Sequence, residues 1–118
     1  MPEERSVLII DDNKPTRAIA AAVLLRAGFK ITEAEDAARA VELLIGEQYS
    51  VILLDFKTPH DGVAMIDYMS ENLPDLLSRT IVFMPAINRP IWGVLSKPIE
   101  PTELLTAVTD CAASGMAA

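Results

Sequence analysis

Short apolar runs that end in charged residues constrain this chain more than any other feature of its sequence. Val7–Ile10 is closed by Asp11 and Asp12, and Val51–Leu54 is closed by Asp55. Ile81–Met84 ends at Pro85, and the shorter Gly93–Val94–Leu95 leads to Lys97–Pro98. Continuous apolar runs of this length suit strands buried on both faces of a parallel sheet. In an open α/β sheet the residues that end such strands gather at the carboxyl edge, where ligands bind. Three carboxylates and one ammonium meeting there would suit a hard cation and a phosphoryl group.

The segments between these runs carry helical patterns. Pro15 suits a first helical turn, and Ile19, Val23, Leu24 and Ala27 recur on one expected inward face until Gly28. Lys30–Ala34 alternates as an edge strand would. Ala37, Val41, Leu44 and Ile45 mark a second helix, and Met65, Ile66, Met69 and Leu73 mark a third that ends near Pro74. Pro101 opens the last, which turns Leu104, Leu105, Val108 and Cys111 inward. The closing Ala-Ala-Ser-Gly-Met-Ala-Ala is expected to fray. Only seven residues, Ala86–Trp92, separate the fourth strand from the fifth. A helical crossover needs about a dozen. Seven extended residues reach about 23 Å, enough to return along a strand of about 17 Å, so a stretched loop is expected in place of a helix.

A chain of 118 residues has room for one domain, with its core over about residues 6–113. No stretch approaches the roughly 20 apolar residues of a membrane span. The charged N-terminus lacks a signal core, and the single Cys111 cannot form an internal disulfide; together they suggest a cytoplasmic protein. A net charge of −7 disfavours nucleic acid and leaves proteins and a metal ion as expected partners.

In this order and at this spacing, Val-Leu-Ile-Ile-Asp11-Asp12, Val-Ile-Leu-Leu-Asp55 followed by Pro59 and Asp61–Gly62, and Ser96–Lys97–Pro98 resemble the receiver domain of bacterial two-component response regulators, from about Val7 to Ala112. The resemblance implies a flavodoxin-like, doubly wound sheet of five parallel strands in the order 2-1-3-4-5. It implies that Asp55 accepts a phosphoryl group from a histidine kinase or phosphotransfer protein. Asp11, Asp12, Asp55 and the backbone carbonyl of Lys57 would hold Mg²⁺ or Mn²⁺, and Lys97 would pair with the acceptor or its phosphoryl group. Such a chain is a single-domain signalling protein and not an enzyme, a monomer or weak dimer whose downstream target the sequence does not name.

The chain also departs from that pattern. Pro85 stands where receivers usually carry Ser or Thr, and Val94 where they carry a rotating aromatic. The loop between Asp55 and Gly62 is one residue shorter than usual. These departures support an alternative, a pseudo-receiver that binds a protein partner without phosphate. A metal-dependent phosphohydrolase is a third reading, but the chain shows neither a general base poised for substrate nor a segment long enough for a lid.

Several residues also have simpler readings. Asp11–Asp12 can cap a helix, although Asn13 is equally placed to do so. The Lys57 side chain can face solvent or pair with Asp11 or Asp12. His60 is a loop histidine without a ligand partner, Cys111 is core packing, and Trp92 is either core filler or a partner contact.

Overall fold

A computed structural model describes residues 5–55, 59–83, 91–95 and 99–116. The strands are β1 (Ser6–Asp11), β2 (Lys30–Ala34), β3 (Val51–Asp55), β4 (Thr80–Val82) and β5 (Gly93–Val94). The helices are α1 (Lys14–Arg26), α2 (Ala37–Gly46), α3 (Pro59–Asn72) and α4 (Pro101–Met116), with a 3₁₀ helix over Pro74–Arg79. All strand pairs are parallel, in the order β2-β1-β3-β4-β5. This is the parallel sheet the apolar runs predict, in the flavodoxin-like order that the resemblance implies.

Strand geometry divides the core into two layers, because successive side chains point to opposite faces. Leu8, Ile10, Ile52, Leu54 and Val82 face Ala40, Leu43 and Leu44 of α2 and Met65, Ile66 and Met69 of α3. Val7, Ile9, Val51, Leu53 and Ile81 face Ala20, Ala21 and Leu24 of α1 and Leu104, Val108 and Cys111 of α4. Each such buried aliphatic side chain contributes about 1.5–3 kcal/mol, and covering both faces makes β1 and β3 continuously apolar. A charge at Leu53, 1% exposed, would leave an ion in this layer with no water around it.

Helix ends follow local chemistry. Asn13 caps α1 through Oδ1, which accepts the Thr16 N–H at 3.0 Å. Asp36 caps α2 in the same way by accepting from Arg39 N at 2.8 Å. At the other end of α1, Phe29 N–H donates to Leu24 O and Gly28 N–H to Leu25 O. Gly28 sits there at φ 95°, the left-handed conformation that this double-bonded terminus requires.

Three expectations need correction, and one element is additional. Ile19 and Ile45 are not core residues: they are 52% and 69% exposed, because the buried sides of α1 and α2 run through Ala20–Ala21–Leu24 and Ala40–Leu43–Leu44. Small alanines let these helices lie close to the sheet, which turns the isoleucines outward. Pro59, His60 and Gly62 belong to α3, not to a loop, since Pro59 stands at its first position. The tail does not fray at Ala112: α4 continues to Met116, and Ala112 is buried beside Cys111. A 3₁₀ helix fills the stretch after Pro74, which the apolar pattern does not distinguish from a loop.

Between β4 and β5 the described residues contain no helix. Phe83 still donates to Leu54 O, extending the sheet edge beyond β4. On the return, Trp92 N–H is shared between Leu77 O and Thr80 O at 3.1 and 2.9 Å. Ile91 packs on one core layer and Trp92 on the other, so both turn inward. Met84, Pro85 and Ala86–Pro90 lie outside the described residues.

Candidate functional site at the carboxyl edge

The parallel register sets Asp11 of β1 directly beside Asp55 of β3. Both are 2% exposed, and Thr80 is the one other buried polar residue among those described. Burying two acidic side chains at the same sheet edge is costly unless each is paired or hydrogen-bonded. Asp12, the next residue, is exposed at the rim. The carboxyl edge thus presents two enclosed carboxylates and a third open to solvent.

The chain around them is held in place. Asn13 N–H donates to Asp11 Oδ1 at 2.8 Å, closing a tight turn, while the Asn13 side chain caps α1. Arg17, one turn into α1, donates from Nη1 to the Asp11 carbonyl at 2.6 Å and from Nε to Glu33 Oε1 at 2.9 Å. Arg17 and Glu33 are absent from the residues the sequence singles out. They are 16 positions apart, and nothing local signals their meeting. Beside Asp12 a cleft of about 540 Å³ opens between α2 and α3, lined by Asp36, Val41, Met65 and Tyr68 among others.

Asp11 and Asp55 stand as register partners with Asp12 exposed beside them; Lys57 and Lys97 lie outside the described residues, as does Pro85. Val94 is in β5 and 42% exposed, an aliphatic residue at the surface of the last strand. Among the described residues, no three of His, Cys, Asp and Glu close into a metal cage on their own. Mg²⁺ does not require one: it binds through one or two carboxylates, keeps several waters, and completes its shell with phosphate oxygens. The hard-oxygen donors at this edge fit that requirement.

Away from this edge, two titratable groups have raised pKa values. Burial pushes the Cys111 thiol up from 9.0 to about 11. Burial, and then the bond to Glu47, raise the Tyr49 phenol.

The family model of the response regulator receiver domain matches residues 7–109. The chain belongs to the response regulator receiver family. The receiver is 32% identical to protein PetR of Rhodobacter capsulatus over 113 residues, which cover 86% of this chain and 46% of PetR, so it spans about half the length of that relative. Its fold is similar to the signal receiver domain of an HD domain-containing protein from Pseudomonas fluorescens, with TM-score 0.85, 21% identity and coverage of 99% of this chain and 93% of that one. It is likewise similar to a CheY-like receiver domain protein from Methanospirillum hungatei, with TM-score 0.80, 22% identity and coverage of 95% and 97%. Receiver domains are signalling modules of two-component systems. No helix formed by the described residues of this one is long and apolar enough to cross a membrane.

Proposed function

We propose that this receiver accepts a phosphoryl group on Asp55 from the phosphohistidine of a histidine kinase or phosphotransfer protein. The observation that carries the reading is the in-register pairing of Asp11 with Asp55, both buried at the carboxyl edge of the sheet. A carboxylate oxygen of Asp55 attacks phosphorus while the phosphorus–nitrogen bond of the donor breaks. The imidazole leaves, and an acyl phosphate remains on the chain. Mg²⁺ held by Asp11, Asp12, Asp55 and the Lys57 carbonyl would neutralise charge shared between the carboxylates and the phosphoryl oxygens. Lys97 would pair with the same oxygens.

The outer face of α1 supports a protein donor. Ala18, Ile19, Ala22 and Leu25 are exposed there, on the helix that begins directly after Asp12 and Asn13. An apolar stripe beside an acceptor site suits docking against another helix.

Incubation with acetyl phosphate and Mg²⁺, followed by intact mass, tests the reading. The wild type should gain one phosphoryl group and Asp55→Asn none. Equal labelling of both would remove Asp55 from the chemistry. A wild type that stays unlabelled even with a phosphorylated donor protein would favour the second reading, a binding module that works without phosphate. The exposed aliphatic Val94 in β5, with no aromatic ring to rotate, is the observation on that side.

A further inference from the structure

We infer that Arg17 is a positioning residue for the divalent cation, fixing the peptide that joins Asp11 to Asp12 and thereby the aim of both carboxylates. The inference rests on the metal reading proposed above and extends it to a residue that touches neither cation nor phosphoryl group.

The geometry is specific. The last register pair between β1 and β2 is Ile10 with Ala34, so the Asp11 carbonyl stands one residue beyond that ladder. Arg17 Nη1 donates to this oxygen at 2.6 Å, standing in for the strand that has ended. The Asp11 carbonyl belongs to the same planar unit as the Asp12 N–H, so anchoring the oxygen fixes the plane from which Asp12 departs. Asn13 N–H holds Asp11 Oδ1 from the other side at 2.8 Å. Backbone and side chain of Asp11 are therefore pinned independently.

Arg17 is itself fixed. Its Nε donates to Glu33 Oε1 at 2.9 Å, and its side chain is only 12% exposed while that of Glu33 is 47% exposed. A planar guanidinium can bond a carbonyl and a carboxylate at once, which an ammonium cannot match in geometry. Glu33, at the end of β2, also supplies a counter-charge to a cation placed beside an acidic site.

This arrangement yields a sign that separates positioning from charge. Judged on charge alone, removing a cation near the site should strengthen divalent binding. Judged on positioning, losing the anchor should weaken it, as loss of groups that orient metal ligands commonly does by about tenfold or more.

The experiment is a titration of the full chain with MgCl₂ followed by amide chemical shifts, for wild type, Arg17→Met and Arg17→Lys. It is run at a temperature where melting curves show each protein folded. Hydrogen exchange at the Asp12 and Asn13 amides is measured on the same samples. Arg17→Met is expected to bind Mg²⁺ about tenfold more weakly and to exchange faster at those two amides, with core amides unchanged. Arg17→Lys should resemble Arg17→Met more than the wild type. Unchanged or tighter Mg²⁺ binding by Arg17→Met would overturn the inference, and full recovery by Arg17→Lys would show that charge suffices. If the wild type itself binds no Mg²⁺, the metal site falls; unaltered exchange at Asp12 and Asn13 in Arg17→Met would then overturn the anchor separately. Should Arg17→Met not fold, the same readouts on Arg17→Lys decide, with wild-type affinity and exchange counting against the anchor.

Discussion

Asp55→Asn should make the metal-free receiver more stable while destroying its proposed chemistry. Asp11 and Asp55 are register partners on adjacent strands, both buried. Neighbouring strands lie about 4.8 Å apart, so carboxylates projecting from paired residues interact across roughly 5 Å. At an effective dielectric near 20, two unit charges at that distance repel by about 3 kcal/mol. Water at the open rim and nearby cations reduce this, leaving about 1–2 kcal/mol to be recovered when one carboxylate becomes an amide of the same shape. For a domain of this size that corresponds to a rise in Tm of roughly 4–8 °C. The comparison has a second arm, because a cation bound only to the native wild type stabilises it by about 1.4 kcal/mol at ten times its Kd. The gap between the two proteins should therefore shrink as Mg²⁺ is added. Thermal melts of both, with EDTA and across a Mg²⁺ series, measure each arm. An Asp55→Asn protein less stable than the wild type in EDTA would refute the reasoning, since Asp55 would then be held by net attraction in the absence of metal.

Three further outcomes are expected. Because burial lifts the Cys111 thiol from 9.0 to about 11, the folded state favours the protonated form. Its contribution is complete below pH 9 and lost as pH rises toward about 11. Chemical denaturation across that range should show the loss for the wild type and a flatter profile for Cys111→Ala; the raised Tyr49 phenol adds a loss of the same sign that begins near its ordinary value of 10.0. Gly28→Ala should cost about 1 kcal/mol, read as a lower Tm. No atom lies within 4 Å of the added Cβ, so the penalty comes from φ 95° alone, and an unchanged Tm would show that the turn relaxes freely. Phosphorylation should perturb amide shifts chiefly over residues 57–62 and 86–92, since Val94 offers no ring to rotate; changes confined to the opposite end of the sheet would contradict this.

How far the fold could be read from the chain depended on how local each signal was. The sheet was legible because strands buried on both faces must be apolar throughout, and Val7–Ile10 and Val51–Leu54 allow few other placements. That Asp11 and Asp55 gather at one carboxyl edge followed from parallel strands, while their register pairing is seen only in the structure. The expectation of a loop instead of a helix between β4 and β5 came from length alone, and the residues that would decide it, 84–90, lie outside those described. Helix faces were harder. Ile19 and Ile45 fit an apolar stripe, but alanine is small enough to bring a helix close to a sheet, and Ala20, Ala21 and Ala40 took the inward positions. The Arg17–Glu33 bridge was not legible, because it joins α1 to β2 and exists only once both lie against β1.

These observations divide the carboxyl edge into parts with different physical duties. The costly element is the pair of buried carboxylates, which hydrophobic packing alone would disfavour. The rest of the edge holds that pair in place: Asn13 by a backbone bond, Arg17 by an anchor on the carbonyl, and β1 and β3 by seating both residues in one register. The sequence carries Pro85 and Val94 at the positions where the family resemblance leads one to expect a hydroxyl and an aromatic residue. On the proposed reading, phosphoryl acceptance is the use to which the paired Asp11 and Asp55 are put. On that reading, a change at Val94 bears on how the event would be reported through β5 and not on the acceptor itself. The proposed acceptor and the proposed reporting residues are then separable, and the acidic edge is the part that calls for a chemical explanation.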